Sequence, residues 1–396
     1  MQGFKQPRKL DKKNYLNNIS KSEKPFIIYK TNKGFDLFTD FTKKIILNNR
    51  NISDFLKQKH NLRKKNKSTD LFIGFFGYEL LNNLIGIKIP KQKSINFPKG
   101  IFYKPETKIN LKENLIYDLK SNYKLERNFR ININQKSYTK IFDKFKRKIR
   151  SGQTYQIKIC TKYKNKSQID PLDFFCRLTK TNLAPEAFMI KDKDYSIISC
   201  SPENLINKQG SSISTKPIAG TLRKTKNINI RMALNFFKNN IKETKEHNMI
   251  VDMERNDLSR ICIPGSVKLK KEKSVEEYKD LYHYVSLIAG KLRKNTSSLE
   301  IIKAMMPGGS VIGCPKISTL NLLNNQEREN RNIYTGSFGY LKSNGDMRFN
   351  IIIRSILNYQ NQSEISVASG VVIDSNASHE FDENYIKAKA LIDLYK

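Results

Sequence analysis

The hydrophobic pattern changes period repeatedly along the chain. TYQIKICTKY (154–163) alternates, with Tyr155, Ile157 and Ile159 on one face of a predicted strand and Gln156 and Lys158 on the other. SYTKIFDKFKRKIRSG spaces its apolar residues as an amphipathic helix and ends at Gly152. PLDFFCRLTKTN predicts a helix. EAFMIKDKDYSIISCSPENLINKQG (186–210) predicts a hairpin running into Ser-Pro-Glu, then a short helical turn. A helix is expected from about 230 to 256, two strands over 266–292, and helix, glycine loop, helix over 298–327. YTGSFGYLKSNGDMRFNIIIRSILNY (334–359) reads as a hairpin turned at Asn344-Gly345. ISVASGVVIDSN is a further strand, and HEFDENYIKAKALIDLYK (379–396) an amphipathic helix.

Before this region the signals are weaker. Residues 1–60 suggest edge strands and a short helix, and KHNLRKKNKSTD (59–70) a solvated linker. LFIGFFGYELLNNLIG (71–86) goes from strand to helix, and KGIFYKP and NLIYDLK look strand-like. The first 130 residues hold no catalytic constellation. They read as an N-terminal scaffold subdomain, with 131–396 the catalytic region of one intertwined unit. Long antiparallel strands mixed with helices predict an α+β fold of one or two large sheets covered by helices.

Composition changes this picture little. A length of 396 residues suits one large core or two domains. A net charge of +36 and pI near 9.8 invite a nucleic-acid reading. The lysines, however, are mixed with Asn and Ile throughout, so no specific nucleic-acid partner is expected, only non-specific binding at low salt. Cys160, Cys176, Cys200, Cys262 and Cys314 form no CxxC pair, as in a reducing compartment. No signal peptide and no apolar run of 18 residues is seen, so a cytoplasmic protein with no membrane partner is expected.

Against that basic background, Glu243 and Glu246 lie three residues apart within IKETKEHNMIVDMERNDLSRICIPGSV. On a helix they share a face, and a hard divalent cation such as Mg²⁺ relieves their repulsion. An exposed acidic helix start has the same appearance. Glu380 and Glu383 repeat the spacing near the C-terminus, with Lys387 one turn on. Two such helices can cap one cavity. Glu203, a lone carboxyl at a strand end, suits protonation of a leaving oxygen if burial raises its pKa. Arg354, read as mid-strand in FNIIIRSI, suits a carboxylate anion. The loop PGGSVIGCPK (307–316) offers backbone N–H groups and Lys316 but lacks the Walker order. Taken singly, His283 suits a core position as well as a site, and Gln156 a strand surface.

SPENLINKQG with PIAGT, KEHNMIVDMERNDLSRICIPGSV, MMPGGSVIGCPK, RNIYTGSFGYLKSNGDMRFNIIIRS and ASGVVIDSNASHEFDENYIKAKA together resemble the chorismate-utilising enzymes. That family comprises anthranilate and aminodeoxychorismate synthase components I and the isochorismate and salicylate synthases. The resemblance runs from about 137 to 396 and is loose before that, at GFFGYEL. It implies a sandwich of two large antiparallel sheets with outer helices, chorismate as substrate, and Mg²⁺. Glu246 and Glu383 would hold the metal with Glu243 and Glu380 as their partners, and Glu203 would protonate the departing C4 hydroxyl. His283, Thr221, Tyr334, Arg354, Lys387 and the backbone near Gly370 would hold the substrate's carboxylates and ring.

Water-adding members have a lysine base where this chain has Gln156, so the resemblance implies amination. Ammonia would come from a separate glutamine amidotransferase subunit, since no stretch here resembles one. PGGSVIGCPK and the absence of an LLES-type segment lean towards aminodeoxychorismate, in the p-aminobenzoate branch. Ala219, where some members of that branch carry a lysine in PIKGT, leans towards anthranilate and the tryptophan branch. Aminodeoxychorismate is the product expected, anthranilate the alternative, and a non-catalytic basic binding protein of the same fold the third reading. Ala368 replaces the first Gly of a GAG turn, and Arg348 the acid of a Met-Asp pair; neither change removes a catalytic side chain.

Overall fold

The structure is a computed structural model that describes residues 11–57, 68–90, 95–117, 125, 127–225, 227–278 and 281–395. Most of the expected linker at 59–70 lies outside them, as do the side chains of Ala219 and Thr221. Strands β1 (Phe26–Thr31), β2 (Gly34–Ile46), β3 (Leu71–Phe76) and β4 (Gly100–Leu111) come first. They are followed by β5 (Arg130–Ile131), β6 (Gln156–Asn165), β7 (Glu186–Lys191), β8 (Tyr195–Ser201) and β9 (Asn204–Gln209). Next are β10 (Ser212–Lys216), β11 (Ile218–Arg223), β12 (Lys268–Glu277), β13 (Leu281–Lys291) and β14 (Gly313–Cys314). The last are β15 (Ser337–Lys342), β16 (Met347–Asn350), β17 (Ser355–Tyr359) and β18 (Gln362–Val371).

Among the described residues these strands form one 18-stranded sheet, antiparallel at every pairing, and not the two sheets that the family resemblance implies. The reason is that strands are shared. β9 bonds β10 on one edge and β16 on the other, so hydrogen bonding never breaks between the halves. From β16 the ladder runs through β15, β3, β4, β2, β1, β7, β8, β17 and β18 to β6. At the other end β13 pairs β11 and then β10 along one edge and β12 along the other. An α+β fold stands; the division into two sheets does not.

β1 pairs with β7 and β3 with β15, so the first 130 residues and the rest share one ladder. The 186–201 hairpin and the 337–350 hairpin form as the alternation predicts, the latter with Gly345 at φ 82°. Four local expectations fail. The strands of residues 1–60 are not edges, since β1 pairs with β2 and β7, and β2 with β1 and β4. NLIY is a helical turn (Glu113–Tyr117), and residues 204–209 are strand β9 rather than a helical turn. The helix expected over 230–256 is two, Ile230–Asn239 and Ile241–Ser259, broken at Asn240, whose side chain caps the second through the Glu243 N–H. All five cysteines are free, as expected. No helix among the described residues is long and apolar enough to cross a membrane.

Candidate active site

One end of the ladder is β6, flanked by β18, β14 and β5. Gln156 is fully buried although it opens the strand, because β14 and β18 flank it: Cys314 pairs with Gln156, and Gly370 with Lys158. Close approach explains two glycines. A Cβ on Gly313, at φ 128°, would lie 2.0 Å from the Gln156 carbonyl oxygen, and one on Gly370 2.6 Å from Lys158 Nζ and 3.0 Å from Gln156 Nε2. Any side chain at 370 would therefore displace the two groups that β6 points into the site.

Helix Ile241–Ser259 packs on β11 and β13 and brings Glu246 to those groups. Gln156 Nε2 donates to Glu246 Oε1 at 2.8 Å, and Lys158 Nζ donates to the same oxygen at 2.9 Å. Burial pushes the Glu246 carboxyl up, but the Lys158 ammonium and the two hydrogen bonds outweigh it and hold the group at about 2. Lys158 is pulled down by burial and more strongly raised by Glu246, with Glu383 and Glu380 adding to the effect. Helix Ala377–Ile392 supplies Glu380, which is buried, and Glu383, whose Oε1 accepts from Lys387 Nζ at 2.6 Å. Glu383 feels the charges of both Lys158 and Glu246, so the two glutamates belong to one electrostatic cluster. Glu243 lies beside the Gly220 backbone, where a Cβ would come within 3.0 Å of its Oε2.

Among the described residues no three acidic, His or Cys side chains converge as a ready-made metal centre. The donor set nonetheless suits Mg²⁺, which needs only one or two carboxylates and keeps several waters. Glu246 and Glu383 offer hard oxygens, and each already carries a cation, the ammonium groups of Lys158 and Lys387.

Glu203 sits between β8 and β9, 4% exposed. Ser310 Oγ, from the glycine loop, donates to its Oε1 at 2.7 Å. Burial drives its pKa from the ordinary 4.5 up to about 7, against the pull of Ser310, Lys158 and Arg354. The loop can deliver Ser310 because Gly309 packs on Met253, where a Cβ would lie 2.2 Å from the sulfur. Lys316, a candidate anion binder, instead bonds Asp257 and the carbonyls of Ala304 and Met305, tying its helix to 241–259.

His283 of β13 and Arg354 line one small cavity together with Tyr278 and the 181–185 segment. Burial and then the Arg354 guanidinium push His283 down to about 3, so the imidazole is neutral. Arg354 is not mid-strand as its sequence context suggests. It lies at a bend between β16 and β17 with φ 49°, a left-handed conformation just before β17 begins. Thr221 pairs with His283 across β11 and β13. Lys387 Nζ also donates to the Ala368 carbonyl at 2.9 Å. Ala368 lies in regular strand β18, not in a turn, and packs with Cys160 and the buried Tyr334. Arg348 lies elsewhere, paired with buried Glu186, which also accepts from Tyr29 Oη at 2.5 Å.

Gln156, Glu246, Glu383 and Gly370 are thus brought together, with Glu203 within electrostatic reach through Lys158. Three further residues are not signalled by carboxylate spacing. Lys158 shares the Gln156 face of the alternation, which is the one sequence trace of its role. Ser310 and Arg331 have none. Arg331 is fully buried, holds Glu327, and donates from Nη2 to the Lys158 carbonyl at 3.1 Å.

The family model described as "chorismate binding enzyme" matches residues 11–393. The chain belongs to the chorismate binding enzyme family. Aminodeoxychorismate synthase component 1 of Bacillus subtilis is 36% identical over 255 residues, 64% of this chain and 54% of that protein. Anthranilate synthase component 1 of Saccharolobus solfataricus is 33% identical over 261 residues, 65% of this chain and 62% of that protein. The chain thus spans little more than half the length of these curated relatives. The crystal structure of anthranilate synthase component I from Streptococcus pneumoniae is similar with a TM-score of 0.74 at 25% identity, covering 93% of this chain and 90% of that one. Membership extends the resemblance seen from 137 onward back through the first 130 residues, where the motifs are faint.

Proposed function

We propose that this chorismate binding enzyme catalyses Mg²⁺-dependent amination of chorismate by ammonia, giving anthranilate, pyruvate and water. The observation that carries the proposal is the orientation of Gln156. The Glu246 carboxylate only accepts, so the amide must present Nε2 to it. Oε1 is then left buried with no hydrogen-bond partner among the described residues. A neutral amide oxygen cannot take a proton from water, but it can accept an N–H of ammonia and aim the nitrogen lone pair at the ring.

Glu203, protonated at neutral pH to a substantial degree, is placed to give its proton to the C4 hydroxyl as that group leaves. Ammonia forms its bond at C2, the ring's conjugated electrons shift towards C4, and water departs. Loss of the C2 proton and of the enolpyruvyl group as pyruvate leaves the aromatic product. Glu246 and Glu383, with Glu243 and Glu380 beside them, would hold the metal, which supplies positive charge for a substrate carboxylate. Arg354, neutral His283, Thr221, Tyr334, Lys387 and the Gly370 backbone would fix the second carboxylate and the ring. Ammonia would be delivered by a separate glutamine amidotransferase subunit.

Anthranilate is preferred to the aminodeoxychorismate expected from sequence on a chemical ground that the relatives support. Returning nitrogen to C4 by two successive displacements needs a first side-chain nucleophile on the ring, and residue 219 is alanine. The solved structure cited above and the Saccharolobus solfataricus relative are both anthranilate synthases. The 36% identity to the Bacillus subtilis aminodeoxychorismate synthase favours the second reading, direct attack at C4 with the enolpyruvyl group kept. Product analysis separates them: anthranilate fluorescence without any added lyase supports the first, and p-aminobenzoate formed only after lyase addition supports the second.

A further inference from the structure

The metal carboxylates of the proposed site are met by a lysine that no part of that reaction uses. Lys158 follows Gln156 by two residues on β6, so its side chain enters the site from the same face. Its Nζ lies 2.9 Å from Glu246 Oε1, with only 11% of the side chain exposed. The opposing strand keeps room for it, since any Cβ at Gly370 would stand 2.6 Å from that nitrogen. Its backbone is pinned as well: the Lys158 N–H donates to the Ile312 carbonyl at 3.1 Å, and its carbonyl accepts from buried Arg331. The ammonium is therefore a fixed part of the site, not a surface charge that folded over it.

We propose that Lys158 is a tethered cation that competes with the divalent metal for Glu246, so that metal binding must displace it. This rests on the reading of Glu246 as a metal ligand. A divalent ion and an ammonium held on one carboxylate repel each other, and both draw on the same single negative charge. While metal is absent, Lys158 neutralises part of a carboxylate cluster that burial would otherwise make costly. The consequence is an intrinsic affinity for the metal that Lys158 lowers through Glu246.

The test is equilibrium binding of Mn²⁺ to the full chain without chorismate, followed by the electron paramagnetic resonance of free Mn²⁺, with Mg²⁺ titrated as competitor. Lys158→Met should tighten binding about tenfold, equivalent to about 1.4 kcal/mol. Lys158→Arg keeps the charge and should stay within about threefold of the parent. Lys136→Met removes the same charge from an exposed position and should leave affinity unchanged. Circular dichroism of each variant confirms folding. Unchanged or weaker binding in folded Lys158→Met overturns the competition while leaving the metal site in place. Equal tightening in Lys158→Arg or Lys136→Met also overturns it. Binding that survives Glu246→Gln at full strength overturns the metal reading itself, and the competition with it.

Discussion

Replacing Glu203 by Gln should make the protein less active and, at alkaline pH, more stable. The carboxyl is buried, and its pKa rises from the ordinary 4.5 to about 7. Between those values the unfolded chain has released the proton and the native state has not, so native stability falls as pH rises through that window and the loss is complete above about 7. A gap of about 2.5 at about 1.4 kcal/mol each makes a full cost of about 3 kcal/mol. About 2.5 kcal/mol of it develops between pH 5 and pH 8. Glutamine never ionises and escapes this cost. It loses on hydrogen bonding instead, since Ser310 can still donate to Oε1 but the new NH₂ faces groups arranged for an acceptor. That loss is about 1 kcal/mol and does not vary with pH. The variant should therefore match the parent near pH 5 and exceed it by about 2 kcal/mol at pH 8. Urea denaturation followed by circular dichroism, in EDTA and without chorismate, measures the difference at each pH. Turnover should fall by about 10²- to 10⁴-fold. A stability difference that stays constant from pH 5 to pH 8 would refute the reasoning, since it would mean that Glu203 titrates normally in the fold.

Gln156→Leu removes the unpartnered Oε1 but leaves Lys158 on Glu246. It should lower kcat/KM for ammonium about 100-fold with little change in KM for chorismate, and steady-state kinetics with each substrate varied would show the split. Glu246→Gln or Glu383→Gln should each abolish Mg²⁺-dependent turnover, and full activity in either would remove that residue from the metal site. Arg348→Met leaves the carboxylate of fully buried Glu186 with Tyr29 as its one partner among the described residues, at a cost of about 2–3 kcal/mol once the partial exposure of Arg348 is allowed for. Adding Glu186→Gln should recover part of this in urea denaturation; no loss from Arg348→Met would show the pair to be energetically idle.

Local pattern was a good guide where one face of an element decides its conformation. The C-terminal helix follows from spacing, with Ala388, Leu391 and Ile392 turned into the core, and strand β6 and the 337–350 hairpin form where the sequence puts them although both faces of each are largely buried. The single sheet was not legible. It depends on β9 having partners on both edges, and edge pairing leaves no trace in side-chain alternation. The same limit applies to Arg354, whose left-handed φ is imposed where β16 gives way to β17. The carboxylate pairs announced themselves against a basic background, yet spacing could not place Lys158 against Glu246, since that contact joins residues 88 apart in sequence. Ser310 was hidden for a similar reason: its role depends on Gly309 letting the loop close on helix 241–259, and only the fold brings Glu203 there.

The most direct test is to incubate the purified chain with chorismate, Mg²⁺ and an ammonium salt, following chorismate loss and product formation together. The account predicts loss that requires both Mg²⁺ and ammonium, with fluorescent anthranilate and an equal amount of pyruvate appearing without any added lyase. Accumulation of isochorismate, or no chorismate consumption at all, would contradict it.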